Sequence, residues 1–217
     1  MRQVNLGGTK VWATLSWPNR ISILRLLLVA PFVVLLMNQS QWLFSRRLAM
    51  AIFIVMAVSD FVDGRLARRL NMKTRLGAIL DPLADKVLII CSVVLLSLPD
   101  SAVAGARIDN WIVVAVVGKD LWVILGFLVL YLVTDRLVVR PTRFGKACTF
   151  GQLVMVGFVL IAPDLNALSP NLGARVATAT GWATVGLCAL AGVSYTRLGL
   201  SVIAAEQKPL DEHNRVA

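Results

Sequence analysis

Residues 60–85 read DFVDGRLARRLNMKTRLGAILDPLAD, and the rest of the chain is interpreted from this stretch. Four carboxylates, those of Asp60, Asp63, Asp81 and Asp85, lie in or beside long apolar runs. At about 100° per residue, the first two fall on one face of a helix and the last two on one face of the next. Two helices that meet along these faces would bring all four carboxylates together.

Carboxylates so close together repel one another and take up protons unless cations compensate their charge. All-oxygen ligation suits a hard divalent ion such as Mg²⁺ or Mn²⁺. Small residues on the same faces, Gly64, Ala67 and Gly77, leave room for a ligand to approach the backbone. Carboxylates, two divalent ions and a bulky ligand together indicate phosphoryl chemistry.

The pattern D-x2-D-G-x2-A-R-x8-G-x3-D-x3-D is complete here, and it resembles the signature of the CDP-alcohol phosphatidyltransferases. The resemblance implies that Asp60, Asp63, Asp81 and Asp85 bind two Mg²⁺ or Mn²⁺ ions, and that Asp85 is also the catalytic base. It further implies that the CDP group is held by Asp63, Gly64, Ala67, Arg68 and Gly77.

The composition predicts an all-α integral membrane protein, with one domain over residues 1–217. Hydrophobic residues make up 58% of the chain, and apolar stretches of about 18 residues recur. Residues 1–19 contain no apolar run long enough to cross a bilayer, and their pattern predicts an interfacial amphipathic segment. Residues 206–217 are expected to form a flexible tail. Six transmembrane helices are predicted at about 20–38, 48–70, 77–97, 110–134, 146–162 and 174–196.

The net charge of +10 comes from basic residues that flank the predicted spans. Anionic lipids and substrates account for this charge better than nucleic acid does. With six spans, most of the 22 lysines and arginines fall on the same side of the membrane as the N-terminus, which predicts that both termini and the site face the cytoplasm. We therefore expect a multi-pass protein of a bacterial inner membrane. The resemblance also implies a homodimer.

The start of the first span is a candidate for binding the acceptor. Residues 18–25 resemble the P-N-x2-T-x2-R start of the phosphatidylglycerophosphate synthase branch, with Ser22 in place of Thr. This makes Arg25 an acceptor-binding candidate. The alternative is an ordinary helix start whose arginine snorkels to the surface.

Further basic residues are acceptor candidates, namely Lys119, Arg143 and Lys146. Residues 118–120, Gly-Lys-Asp, stand where relatives in the family show Gly-Arg-Glu or Gly-Arg-Asp, the latter in eukaryotic-type cardiolipin synthases. Adjacent residues do not share a helix face, so Lys119 and Asp120 are each expected to have a separate partner. The alternative for Lys119 is a lysine with a purely structural partner. The alternative for Arg143 and Lys146 is a basic loop that only sets the membrane topology.

A second segment bears on the acceptor. Residues 145–152 resemble the G-K-x-K-T-x2-Q segment of phosphatidylglycerophosphate synthases, with Cys148 where that segment has a second lysine. The three cysteines, all in apolar runs without metal-ligand spacing, are interpreted as buried small hydrophobic residues.

The resemblance implies phospholipid biosynthesis, with transfer of a phosphatidyl group from CDP-diacylglycerol to an alcohol. The favoured acceptor is sn-glycerol 3-phosphate, giving phosphatidylglycerophosphate and CMP. Phosphatidylglycerol, as in cardiolipin synthesis, and inositol phosphate are alternative acceptors. A hypothesis of another class is a transporter whose intramembrane acids and lysines form an ion path.

Overall fold

The computed structural model describes the backbone of residues 17–39, 44–69, 77–134 and 142–216. Side chains are described for 23–39, 44–59, 84–130, 132, 142–202 and 204. Within these ranges the chain forms six helices and no strand, which confirms the predicted all-α class. The helices are α1 (Trp17–Met37), α2 (Ser45–Arg69), α3 (Gly77–Ser97), α4 (Asn110–Thr134), α5 (Arg143–Leu168) and α6 (Leu172–Val216).

The helices suit a membrane. Asn110–Leu130, Arg143–Leu168 and Leu172–Val202 are each long and apolar enough to cross a bilayer, and Ile23–Met37 is a shorter apolar helix. Large apolar side chains of α4 point outward, as they do in proteins surrounded by lipid. That α1, α2 and α3 also cross the membrane remains a prediction.

The described helices do not test the two features predicted at the chain ends, the interfacial segment and the flexible tail. The interfacial segment at 1–19 lies outside the described residues, apart from the first turn of α1. The backbone of α6 continues to Val216, beyond the predicted end of the last span at 196. A helical backbone does not measure mobility, so the flexible tail stays a prediction.

The chain divides into two compact units, Met1–Leu95 and Leu96–Ala217. In the first unit α1 packs against α2, with the rings of Phe32 and Phe53 buried at a centroid distance of 6.1 Å. The Ser45 hydroxyl, at the start of α2, donates a hydrogen bond to the carbonyl of Leu35 on α1. This bond satisfies a buried hydroxyl and joins the start of α2 to the last turn of α1.

In the second unit, hydrogen bonds connect the loop before α4 to the end of α3 and to α5. The amide of Ile108 donates to the carbonyl of Leu96 at 3.1 Å, and Arg107 Nε donates to the carbonyl of Ser97 at 2.6 Å. Asn166 of α5 donates through Nδ2 to Gly105 O at 3.5 Å and accepts from the amide of Gly173 at 2.7 Å. One side chain thus joins the loop to the start of α6.

The helices α5 and α6 form a tight antiparallel pair. The Thr184 hydroxyl of α6 donates to the carbonyl of Gly151 on α5 at 3.2 Å. At the turn, Asn171 has a positive φ of 62°. Gly173 lies directly against the backbone of Ala162, and a Cβ there would overlap the Ala162 carbonyl.

We predict that Gly173→Ala destabilises the protein by about 1–3 kcal/mol, because a fixed backbone group cannot move aside for the new methyl group. Thermal unfolding in detergent measures the effect as a lower midpoint. Gly186→Ala is the matched control, since a Cβ at Gly186 meets nothing within 4 Å. Equal midpoints for the two variants would contradict the close approach of Gly173 to Ala162.

Candidate active site

Both halves of the aspartate-rich stretch are helical, as the one-face arrangement requires. Asp60 and Asp63 lie in the last turns of α2, and Asp81 and Asp85 lie in the first turns of α3. In each helix the two aspartates are three or four residues apart, so they share a face. The side chains of the first three lie outside the described residues, and their meeting with Asp85 remains a prediction.

The CDP-binding candidates Asp63, Gly64, Ala67, Arg68 and Gly77 fall on the same two helices. Their side chains also lie outside the described part of the chain. Among the side chains that are described, no group of three potential metal ligands occurs. The aspartates still provide the oxygen donors that a hard divalent ion requires.

Asp85 is held by an arginine from another helix. Arg25 Nη1 of α1 donates to Asp85 Oδ1 at 3.4 Å. The Arg25 side chain is 2% exposed, whereas that of Asp85 is 29% exposed. Arg25 is therefore buried rather than snorkelling, and its guanidinium fixes one oxygen of the predicted base. The Asp85 carboxylate is not enclosed, because 29% of its side chain is exposed.

Lys119 and Asp120 form an ion pair with each other, through Nζ and Oδ1. The expectation of separate partners was wrong. The two side chains leave the helix about 100° apart, but the flexible stem of lysine is long enough to turn back to its neighbour. Both are buried, at 7% and 5% exposure, and burial of a charge strongly favours pairing. The pair neutralises its own charge inside α4.

Two of the cysteines meet between α5 and α6. The Sγ atoms of Cys148 and Cys188 are 3.2 Å apart, and both residues are buried. Gln152 Nε2 lies 3.7 Å from Cys188 Sγ, while its Oε1 is buried without a hydrogen-bond partner among the described residues. Position 148, where the resembling G-K-x-K-T-x2-Q segment has a second lysine, therefore offers no charge to a ligand here.

The basic residues that begin α5 are exposed. Arg143 and Lys146 lie in its first turn, which Thr142 caps by accepting from the amide of Gly145 at 3.0 Å. Cations at a helix N-terminus oppose the helix dipole and cost stability. The same amides and side chains attract anions. The two cations therefore favour binding of a phosphate at this helix end, although they do not stabilise the helix.

Sequence reasoning missed the surroundings of Arg197. No motif points to this residue, yet it lines a cavity of about 570 Å³ together with Trp122, Thr196 and Lys119. The missed signal was the repeat of small residues on α6, Cys188, Gly192 and Thr196 at intervals of four. Such a stripe marks one helix face, but it does not show what lies opposite.

Comparison with known proteins agrees with the sequence motifs. The family model of the CDP-alcohol phosphatidyltransferases matches residues 15–190. A protein of Escherichia coli K12 named CDP-diacylglycerol–glycerol-3-phosphate 3-phosphatidyltransferase is 44% identical over 157 residues, covering 68% of this chain and 78% of that protein. The protein of the same name from Bacillus subtilis is 32% identical over 154 residues, covering 66% and 76%.

A third relative carries another name. A Mycobacterium tuberculosis H37Rv protein named "Putative cardiolipin synthase" is 34% identical over 171 residues, covering 78% of this chain and 73% of that protein. The family model covers most of the chain, including both halves of the aspartate signature. The chain is a membrane-bound transferase and belongs to the CDP-alcohol phosphatidyltransferase family.

Proposed function

We propose that this enzyme transfers the phosphatidyl group of CDP-diacylglycerol to sn-glycerol 3-phosphate, giving phosphatidylglycerophosphate and CMP. The observation that carries the proposal is the complete aspartate signature on two consecutive helices, α2 and α3. The names of the Escherichia coli and Bacillus subtilis relatives support this acceptor. Membership in a transferase family replaces the transporter hypothesis.

The four aspartates are proposed to hold two divalent ions, Mg²⁺ or Mn²⁺. Their carboxylate oxygens match the preference of these ions, which supply charge neutralisation to the diphosphate when bound. The small residues Gly64, Ala67 and Gly77 give the CDP group access to the helix backbone, and Arg68 pairs with its phosphate. This assignment follows from the matched signature.

Asp85 accepts the proton of the acceptor hydroxyl. The freed oxygen attacks the phosphorus of the phosphatidyl group, the bond to the CMP oxygen breaks, and CMP leaves. Arg25 supports this role, because its contact at 3.4 Å holds Asp85 in place without covering the whole carboxylate. Arg25 was predicted as an acceptor ligand, and its pairing with Asp85 is also consistent with a position beside the reacting groups.

The acceptor phosphate is proposed to bind Arg143 and Lys146. These cations are exposed at an anion-attracting helix end. Lys119 is a weaker candidate, because Asp120 already neutralises it. Its remaining N–H groups are still available to a neutral hydroxyl or a phosphate oxygen.

Phosphatidylglycerol is the second candidate acceptor, which would make the enzyme a cardiolipin synthase. Burial of Cys148 against Cys188 removes the cation that the resembling segment has at this position. The name of the Mycobacterium tuberculosis relative points the same way.

The acceptor is tested by measuring CMP release from CDP-diacylglycerol by the purified protein in detergent with Mg²⁺ or Mn²⁺. We expect release with sn-glycerol 3-phosphate. We expect none above background with phosphatidylglycerol or inositol phosphate. Release with phosphatidylglycerol alone would assign cardiolipin synthesis, and release with inositol phosphate alone would assign an inositol phospholipid. No release with any acceptor would contradict the proposed chemistry.

The location, the oligomeric state and the partners of the enzyme are also proposed. We place both termini and the site on the cytoplasmic side of a bacterial inner membrane, because basic residues flank that side. A homodimer is proposed from the family resemblance. Membrane lipids and the two substrates are the proposed partners.

A further inference from the structure

A groove runs along the second unit between α4 and α6. It encloses about 570 Å³ and is lined from Ala115 to Trp122 on α4 and from Val185 to Arg197 on α6. At 1.5 Å per residue, the α6 wall is about 18 Å long. One leaflet of a bilayer has a hydrocarbon layer of about 15 Å, half of the whole core. The groove is therefore long enough for the acyl chain of a lipid in one leaflet.

The walls of the groove leave little polar surface unsatisfied. The indole N–H of Trp122 donates to Thr196 Oγ1 at 3.1 Å, and this hydroxyl donates to the carbonyl of Gly192 at 2.9 Å. Lys119 is paired with Asp120. The remaining wall is apolar, so it suits a hydrocarbon chain better than a polar small molecule.

One cation at the end of the groove has no carboxylate partner among the described side chains. Arg197 is exposed, and no carboxylate pairs with it among the side chains that the structure describes. It directly follows residue 196, the predicted end of the last span, and the next charged residue along the chain is Glu206. The long side chain of an arginine near the end of a span reaches the level of lipid phosphates, with which it forms bidentate hydrogen bonds.

We propose that this groove binds an anionic phospholipid of the surrounding bilayer, with one acyl chain between α4 and α6 and its phosphodiester on Arg197. A second copy of the chain fits less well. A two-fold interface through the groove would bring the Arg197 of one copy towards that of the other, and like charges repel. The proposal concerns binding only and does not depend on which acceptor the enzyme uses.

Two glycines allow the groove to be filled without disturbing the protein. A Cβ at Gly118 or Gly192 meets nothing within 4 Å, and both residues line the cavity. Gly186 also has open space around its Cβ but does not line the cavity. Gly192→Leu and Gly186→Leu are therefore a matched pair on the same helix. Leucine is also a better helix former than glycine, so neither change weakens α6 intrinsically.

The test uses Trp122 as a reporter, in protein reconstituted into phosphatidylcholine vesicles. Phosphatidylglycerol with brominated acyl chains is the probe, and brominated phosphatidylcholine is the neutral comparison. The signal of Trp122 is the fluorescence that the Trp122→Phe variant lacks. We expect brominated phosphatidylglycerol to quench it at about tenfold lower mole fraction than brominated phosphatidylcholine.

The variants separate the two parts of the site. Gly192→Leu should reduce quenching by both brominated lipids, whereas Gly186→Leu should leave it unchanged. Arg197→Gln should remove the preference for the anionic lipid while quenching by the chain persists. Equal elution volumes and unfolding midpoints in detergent show that the variants are folded.

Three results would overturn the proposal. Equal quenching of the wild-type protein by both lipids would mean contact with bulk lipid only. Equal behaviour of Gly192→Leu and Gly186→Leu would mean that the groove is not occupied. Self-association that Gly192→Leu abolishes, with quenching unaffected, would assign the groove to a second copy. None of these results touches CMP release, so the proposed transfer reaction stands or falls separately.

Discussion

Replacing Asp81 by asparagine is expected to lower kcat/KM for CMP release by about a thousandfold or more. Asparagine keeps the size of the side chain but loses its negative charge, and a neutral amide is a poor ligand for a divalent ion. The measurement is the initial rate of CMP release at varied CDP-diacylglycerol concentrations, with glycerol 3-phosphate saturating. Binding of Mn²⁺, followed by electron paramagnetic resonance, should weaken in the same variant without substrate present.

The matched control is Asp100→Asn. Asp100 is an exposed aspartate in the loop after α3, outside the signature. We expect this variant to retain wild-type CMP release and Mn²⁺ binding. An Asp81→Asn enzyme with wild-type Mn²⁺ affinity would remove Asp81 from the metal site, even if its activity were low.

Replacing Arg25 by glutamine is expected to lower kcat by about 10–100-fold. Hydrogen bonds to charged groups are typically worth about 1.5–3 kcal/mol, and each 1.4 kcal/mol corresponds to a factor of ten. The structure places the guanidinium on Asp85, so the loss should fall on kcat, with the KM for the acceptor little changed. Steady-state kinetics with varied glycerol 3-phosphate measures both quantities.

Arg25→Lys is the conservative comparison, and it should restore part of the lost kcat because it keeps the charge without the planar fork. A raised acceptor KM with unchanged kcat in Arg25→Gln would contradict the positioning role. Arg25 would then be an acceptor ligand, as the sequence alone suggested.

The helices were predictable because apolar runs and polar breaks define them. The fourth predicted span, 110–134, coincides with α4. The fifth span was predicted to begin at residue 146, three residues after the observed start of α5 at Arg143. The prediction followed the apolar run, which starts after Lys146, whereas the helix itself starts after the Thr142 cap. The last was predicted to end at 196, where polarity rises, but polarity does not stop a helix whose residues favour helical backbone.

The site was predictable only as a set of residues. The signature predicts that Asp85 is the base, but nothing in the sequence pairs it with Arg25, which is 60 positions away. The pairing of Lys119 with Asp120 was missed because periodicity describes where a side chain leaves the helix, not where a long one ends. The groove at Arg197 depends on the approach of two helices, and a single helix pattern does not encode that distance.

The hydrogen bonds across α5 and α6 have a consequence for biosynthesis. Gln152 and Thr184 are buried polar residues, and each makes one hydrogen-bonding contact with the other helix of the pair, Gln152 through Nε2 and Thr184 through its hydroxyl. A lone α5 released into hydrocarbon would present the Gln152 amide to lipid tails, whereas the Thr184 hydroxyl of a lone α6 can turn back to a carbonyl of its own helix. Co-insertion of the two segments as one hairpin, joined by the short turn at Asn171, avoids that intermediate.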